Sequence, residues 1–426
     1  MTMPMTMRVR RAFAFRPVRR IARGALAATT AAVVLAVTSP LAAAAPHRAA
    51  PPSGPCALAP PAHAGWEKYE GLPTPGNYRK STGTVRAYTV FIDFSDAPAE
   101  GPPQDRYAEF FPAVADHFAA SSYGKLTYES TPHLKWIRMS KPFREYGIDR
   151  GVPFEPGYSA ITREITEAVG DDADLGSYDV LNVLATPNAG PDAVDKVLSV
   201  TFSGGVLDFG KGRVPWAGSF IWSRQTGDSA WRVLNHENGH AFGLPDLYGT
   251  GQEYRRHPVG HWDVMDEDWG PTNDFMAWHK WKLGWLDEDQ VGCQDRVGTR
   301  EFTLSPLSAK GGVKLIAVPV SDTDVITVEA RTRSGLDPAV CRPGVLISRV
   351  STDTRSGHNP VRVSDATPDS GGCVHRSNVY AELSDATYVP GTAFTDRRHG
   401  VTVRVVERSD DGTYTVRITR RHLSGT

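Results

Sequence analysis

The residues best suited to chemistry lie in one short run of the chain, LNHENGHAFGLPD, residues 234–246. On a helix, residues four apart share a face, so His236 and His240 can direct two imidazoles at one zinc ion. Glu237 stands beside the first histidine, where it can act on a water at the metal without binding the metal. With Asp246 the run offers three protein ligands and leaves one position open, which is typical of a catalytic zinc site. The run therefore indicates hydrolysis.

This arrangement depends on a helix that ends at a glycine. Gly243 can adopt the left-handed conformation that ends a helix and turns the chain back, which would bring Asp246 towards the open side of the metal. Inside the helix, Asn238-Gly239 is poor helix-forming material, because glycine costs about 1 kcal/mol relative to alanine. Packing or the metal must therefore hold this segment helical.

The third ligand has competitors further along the chain. Five of them follow the helix: Glu253, His257, His261, Asp263 and Asp266. The Gly-x-x-Asp spacing favours Asp246. We interpret Asp263 and Asp266 as structural groups or as acceptors for the second N–H of the ligating imidazoles. Tyr248 could donate to a transition-state oxyanion, but an ordinary packed tyrosine is the favoured interpretation.

Length and charge bound the class of protein. At 426 residues the chain exceeds one ordinary domain, so we expect two folded units with tails. The formal charge of −1 and the 22% content of charged residues exclude the basic footprint of a nucleic-acid-binding protein. An apolar content of 40% supports a normal buried core.

The N-terminus has the composition of an export signal. Arginines are frequent up to Arg23, residues 24–45 carry no charge, and small residues offer a cleavage site after Ala44. We therefore predict a signal peptide over residues 1–44 and a secreted mature protein. The sequence has no second long apolar stretch, so we expect no membrane anchor after cleavage.

Cysteine usage fits the same compartment. Four cysteines remain after export: Cys56, Cys293, Cys341 and Cys373. An even count in an oxidising compartment predicts two disulfides, with three possible pairings. We favour Cys341–Cys373 within the last domain and Cys56–Cys293 between the N-terminal arm and the domain junction. The alternative is that the Cys56 thiolate blocks the zinc in a latent precursor.

Apolar periodicity divides the remaining chain into an arm and two domains. Residues 45–83 are rich in proline and alanine and form an N-terminal arm. Residues 84–288 alternate strands with helices, which predicts an α/β (α+β) domain around the metal helix. Residues 289–426 contain short β-branched runs separated by turn residues, which is typical of an all-β sandwich.

Individual elements follow from the same periodicity. In the first domain we predict strands at residues 85–94, from 126, at 134–139, 180–185 and 214–222, and helices at 105–121, 160–169 and 273–283. In the second domain we predict strands at residues 313–320, 325–330, 344–350, 401–406 and 413–418. The strand at 214–222 directly precedes the metal helix and is our candidate for an exposed sheet edge that pairs with an extended substrate.

Several motifs together resemble one family of enzymes. The run His-Glu-x-x-His-x-x-Gly-Leu-Pro-Asp is followed by Trp-Asp-Val-Met at residues 262–265 and by AWHKWKLGW at residues 277–285. FIDFSD at residues 91–96 and SYGKL at residues 122–126 precede it. This combination resembles the immune inhibitor A family of secreted metallopeptidases, which is similar to the wider metzincin group. The resemblance covers roughly residues 84–290.

The resemblance implies a role for each matching residue. His236, His240 and Asp246 would bind zinc, with Asp246 in the place of the histidine more usual in metzincins. Met265 would lie in a turn under the metal. Glu237 would be the general base and then the general acid. The family includes large relatives with long propeptides and several added domains, whereas this chain has a short arm and one β domain.

The sequence therefore predicts a secreted, monomeric zinc endopeptidase that acts on proteins or peptides. One alternative is an exported binding or adhesion module that keeps the fold without turnover. A second is a zinc hydrolase of non-peptide amides or esters, because the same chemistry serves both kinds of bond. Calcium is a possible further ion, since the acidic loop at residues 171–174 would permit it.

Overall fold

The structure is a computed structural model that describes residues 51–65, 67–189, 198–208, 213–222, 226–227, 230–250, 257–268, 274–373 and 380–422. The predicted signal peptide and Glu253 lie outside these residues. Residues Pro46–Thr426 form one compact unit. Its fold is mixed α/β, with several sheets and few helices, which is consistent with an α+β class. The predicted boundary near residue 288 stays a prediction.

The first sheet has five strands in the order β2-β1-β3-β5-β4. Their bounds are β1 Gly83–Asp93, β2 Leu126–Arg138, β3 Val180–Ala185, β4 Val200–Asp208 and β5 Arg213–Ile221. The first four in this order run parallel, and β4 is antiparallel to β5. Every residue of β3 is buried, as expected for a parallel strand that is covered on both faces.

Within the described residues, five helices accompany this sheet: α1 Pro103–Ala108, α2 Ala113–Ser121, α3 Gly157–Val169, α4 Ala230–Ala241 and α5 Ala277–Lys282. Alternate residues of β1 point to opposite faces, so Phe91 packs in a core with α2 and α4, whereas Ile92 packs in a core with α3. The helix α4, which carries His236 and His240, lies against β4 and β5 and beside α2. It therefore rests on a sheet whose central strand β3 is buried on both faces.

Some predicted elements differ from the observed ones. The helix predicted over residues 105–121 is split into α1 and α2 at Pro112, because proline lacks the N–H that a continuous helix needs there. The two strands predicted near residues 126 and 134–139 form the single strand β2.

The prediction that residues 214–222 form the sheet edge is wrong. The strand exists as β5, but it pairs with β3 on one side and with β4 on the other. Within the described residues, the edge on this side is β4. Periodicity identified β5 as a strand, but it could not show which neighbours its backbone would find.

The C-terminal region, residues 289–426, builds two further sheets. One has the order β11-β10-β9-β8-β6 and the other the order β12-β13-β14-β7. The strands are β6 Val291–Cys293, β7 Gly298–Leu304, β8 Leu315–Pro319, β9 Asp324–Arg331, β10 Gly344–Ser351, β11 Val361–Val363, β12 Ala393–Asp396, β13 Val401–Arg408 and β14 Tyr414–Arg420. Ile316 and Val328 from the first sheet share a core with Val403 and Val416 from the second. We call this region the β unit.

The β unit is continuous with the region that carries α4. The opposite face of its first sheet contributes Ala317, Leu346 and Val350 to the core that contains α2 and α4. Buried polar contacts cross the same junction, since the backbone N–H of Ala277 donates to Glu329 over 2.7 Å. The two regions therefore share one interior.

Both favoured disulfides are present, Cys56–Cys293 and Cys341–Cys373. The alternative of a free Cys56 thiolate at the zinc is wrong, because its sulfur is bonded to Cys293 and its side chain is buried. Two disulfides are compatible with an oxidising compartment. Among the described helices, none combines the length and apolarity needed to cross a membrane.

Candidate metal centre

Three potential ligand atoms meet at the end of α4. His236 and His240 lie on one face of this helix, and Asp246 follows in the turn after it. One atom from each of the three lies within 4.8 Å of the others. The Nε2 atoms of both histidines are 3.1 Å from the same oxygen of Asp246, Oδ1. Among the described residues, this is the single group of His, Cys, Asp and Glu side chains with such geometry.

The hydrogen bonds of the two imidazoles orient both Nε2 atoms towards Asp246. Nδ1 of His236 lies 2.9 Å from the carbonyl oxygen of Val264, and Nδ1 of His240 lies 2.8 Å from that of Leu244. A carbonyl only accepts, so Nδ1 of each ring carries a proton, and each ring turns its Nε2 towards Asp246. Two imidazole nitrogens and a carboxylate facing one point form a set that zinc prefers. Neighbouring ligands of a tetrahedral zinc lie about 3.3 Å apart, close to the spacing here.

Electrostatics keep the third group ionised. Burial acts to raise the pKa of the Asp246 carboxyl, but His240 and His236 hold it well below its ordinary value.

The ring of Tyr248 stacks on His236 with the ring centres 5.9 Å apart. Burial, followed by the charges of Asp246 and Glu237, raises the pKa of Tyr248 well above its ordinary value, so its hydroxyl stays a donor.

Glu237 lies beside this group but is not part of it. Its side chain is 4% exposed, and its Oε2 accepts a hydrogen bond of 2.8 Å from the hydroxyl of Thr201 on β4. Burial raises the pKa of the Glu237 carboxyl above its ordinary value, against the opposing effect of His240 and His236. A carboxylate with a raised pKa is better matched to taking up and releasing a proton near neutral pH.

Met265 lies directly under α4. Its sulfur is 2.6 Å from the point where a Cβ on Gly239 would lie, so the helix needs a glycine at this position. The adjacent Asn238 is fully buried, donates to the Tyr128 hydroxyl and accepts from Ser219. Packing thus explains the poor helix-forming pair in α4. Gly243 adopts φ of +89° and ends the helix, in agreement with the prediction.

Replacing Gly239 with alanine is expected to lower the free energy of unfolding by about 1–2 kcal/mol. The added methyl would overlap the Met265 sulfur, and Met265 is fully buried, so its side chain would have to shift within a packed core. The overlap costs more than the roughly 1 kcal/mol that alanine gains over glycine in helix propensity, so the net effect is a loss of stability. Urea unfolding measures the difference, with Gly76→Ala as a control because a Cβ there meets no atom within 4 Å. Unchanged stability of Gly239→Ala would contradict the packing described here.

The competing ligand candidates lie elsewhere. His257 and His261 are absent from the three-residue group, and Glu253 lies outside the described residues. Asp266 accepts from His257 and from the backbone N–H groups of Val259 and Gly260. Asp266 is therefore a structural group, which confirms one of the two interpretations from the sequence. The other, that it accepts from the second N–H of His236 or His240, is wrong, because backbone carbonyls accept those hydrogen bonds.

Asp263 is structural in the same way. One of its oxygens accepts from the backbone N–H of Met265, and the other accepts from that of Met276. The second oxygen also lies 2.7 Å from Nδ1 of His279, whose Nε2 is 2.8 Å from Glu70 in the N-terminal arm. Asp263 therefore links the turn that contains Met265, which we call the methionine turn, to α5 and to the arm.

Some residues around the centre were not found from the sequence. Thr201 lies next to Glu237, and Asp268 Oδ2 lies 3.9 Å from Nδ1 of His236. Ser356 contacts Asp246 from the β unit. No motif spacing links these residues to the run at 234–246. The acidic loop considered for calcium shows an ion pair between Asp172 and Lys135 and no group of metal-ligand geometry within the described residues.

No protein-family model matches the chain, and a search of curated proteins finds no significant match.

Proposed function

We propose that this chain is a secreted zinc-dependent endopeptidase with a metzincin-like catalytic region, as its resemblance to the immune inhibitor A family implies. One observation carries the proposal. Two imidazole nitrogens and a carboxylate face one point, and the buried Glu237 carboxylate lies beside them. Zinc bound at that point would polarise a carbonyl group and lower the pKa of water towards about 7.

Side chains and backbone carbonyls of the chain would carry out the proton transfer and position the groups that take part in it. Glu237 takes a proton from the attacking water and returns it to the leaving amine, and burial brings its pKa closer to neutrality for both steps. The Thr201 hydroxyl holds one oxygen of Glu237 in place. The carbonyls of Val264 and Leu244 fix the tautomer and the orientation of the ligating rings.

The edge strand β4 is the proposed site for the substrate backbone. It carries Thr201 beside Glu237, and Ser203 on the same strand donates to the carbonyl oxygen of His240 over 3.0 Å. An extended peptide that adds to β4 as a further strand would therefore pass beside the metal centre. This geometry supports the proposal of protein or peptide substrates, and the two disulfides support an extracellular location.

The two alternatives differ in what they require of Glu237. A binding module has no use for a buried carboxylate next to a metal site, because burying that charge costs free energy without serving binding. A hydrolase of non-peptide amides would use the same residues, so substrate profiling must separate it from a peptidase.

The testing experiment is casein cleavage by the protein purified from residue 45 onward, with and without phenanthroline, beside its zinc content. We expect about one zinc per chain and cleavage that the chelator abolishes. Bound zinc without casein cleavage would contradict the endopeptidase and direct the search to amide and ester substrates. A protein that binds no zinc would favour the binding module.

A further inference from the structure

A loop of the β unit pairs with the turn that carries Asp246. This loop, residues 352–360, connects β10 to β11. The backbone N–H of Gly357 donates to the carbonyl oxygen of Asp246 over 3.1 Å, and that of Thr250 donates to the carbonyl oxygen of Gly357 over 2.8 Å. Gly249 and His358 form a β-bridge between these contacts. The ligand turn and the loop thus run alongside each other like two short strands.

The hydroxyl of Ser356 contacts Asp246 twice. It accepts a hydrogen bond of 2.8 Å from the backbone N–H of Asp246 and donates one of 2.9 Å to Oδ2 of the same residue. The other carboxylate oxygen, Oδ1, is the one that lies 3.1 Å from both Nε2 atoms. Ser356 therefore fixes the rotation of the carboxylate and leaves one oxygen for the metal.

The loop is held in place from its other side by the N-terminal arm. The backbone N–H of Ser356 donates to the carbonyl oxygen of Lys68 over 3.0 Å. Tyr69 and Arg355 form a β-bridge next to this contact. With its backbone bound to the arm and its hydroxyl bound to Asp246, Ser356 has little freedom to turn away.

We propose that Ser356 is a positioning residue for Asp246, and that the β unit thereby completes the metal centre. The proposal rests on the proposed function only in that Asp246 is taken as a zinc ligand. It gives the β unit a role at the metal centre, whereas the sequence predicted only that this region is an all-β sandwich. Partners that orient metal ligands typically contribute a factor of about 10–100 to metal affinity.

The test compares zinc affinity in variants of the full mature chain, measured with Zn²⁺ alone in competition with a fluorescent chelator. Ser356→Ala is expected to lower affinity by about 10–100-fold. Ser356→Thr and Ser356→Val form a pair of equal shape that differs in the hydroxyl, so the threonine variant should bind zinc more tightly than the valine variant. This pair also decides the matter if the alanine variant does not fold.

The control is Ser351→Ala. Ser351 is partly buried, as Ser356 is, and lies at the end of β10 next to the same loop, but its hydroxyl donates to Asp353 and not to Asp246. This variant should keep the parental zinc affinity. A second readout is the visible spectrum of the Co²⁺-loaded protein, which should change in Ser356→Val and be restored in Ser356→Thr.

Equal zinc affinities in the threonine and valine variants would overturn the positioning role, as would an equal loss in Ser351→Ala. Casein cleavage by the parent protein is followed in parallel. A parent protein that binds zinc but cleaves no peptide contradicts the proposed activity, while the affinity comparison still decides the role of Ser356.

Discussion

Replacing Glu237 with glutamine is expected to lower the rate of casein cleavage by about 10³-fold and to leave zinc bound. Glutamine has the shape of glutamate and its carbonyl oxygen can still accept from Thr201, but it cannot take a proton from water. Glu237→Ala should abolish cleavage as well. Neither change removes one of the three groups that would bind the metal.

The measurement needs kcat for casein or a peptide, the zinc content and the unfolding temperature of each variant. Glu164→Gln is the matched control, because Glu164 also accepts hydrogen bonds but lies on α3, against the opposite face of the sheet. It should retain parental activity. Appreciable cleavage by Glu237→Gln at normal zinc content would contradict the assignment of Glu237 as general base.

The second large effect concerns stability at alkaline pH and arises from His279. Its side chain is 1% exposed and lies between Asp263 and Glu70. Burial lowers the pKa of His279, but the two carboxylates outweigh burial and raise it to about 10. The imidazolium therefore links the methionine turn to the arm across neutral pH.

The sign follows from this raised pKa. The stabilisation is fully present below the unfolded value of about 6.5 and is lost as the pH rises through about 10. We expect His279→Gln to be less stable than the parent protein by several kcal/mol at neutral pH. The difference in the free energy of unfolding between the parent protein and His279→Gln, which we call the gap, should narrow between about pH 6.5 and pH 10, by at most about 1.4 kcal/mol per pH unit.

Urea unfolding of chelator-treated protein at several pH values measures this gap without a contribution from metal binding. His117→Gln is the control: burial lowers the pKa of His117 to about 4, so this ring is neutral throughout the same range. The difference in the free energy of unfolding between His117→Gln and the parent protein should be constant above about pH 7.5, where this ring is neutral in both the folded and the unfolded state. A pH-independent gap for His279→Gln would show that the ion pairs with Asp263 and Glu70 do not link protonation to folding.

Local sequence patterns were enough to predict the part of the candidate centre that lies within one helix and the turn after it. His236, His240 and Asp246 lie within 11 consecutive residues, so helical periodicity and one left-handed glycine bring them together. Zinc as the ion and peptide hydrolysis as the reaction stay predictions.

Long-range partners were beyond the reach of these patterns. Ser356 is 110 residues from Asp246, and Glu70 is 209 residues from His279. A serine in a loop or a glutamate in a proline-rich arm gives no periodic signal that names its partner. The edge strand was missed for a related reason. Alternation identifies β5 as a strand, whereas its place in the sheet depends on pairing with β4, which carries Gly204 and Gly205 and was not recognised as a strand.

The bonds between the N-terminal arm and the rest of the protein have a consequence for any proteolytic cleavage within the arm. Cys56 is bonded to Cys293, Glu70 is paired with His279, and the carbonyl oxygen of Gly71 accepts from Lys282 over 2.9 Å. A trimming protease could shorten the chain before Cys56 without touching these links. A cut after Glu70 followed by release of the fragment would remove half of the ion pair behind the methionine turn. Removal of residues 56–70 is therefore expected to destabilise the region behind the methionine turn, because it breaks a disulfide and a buried ion pair.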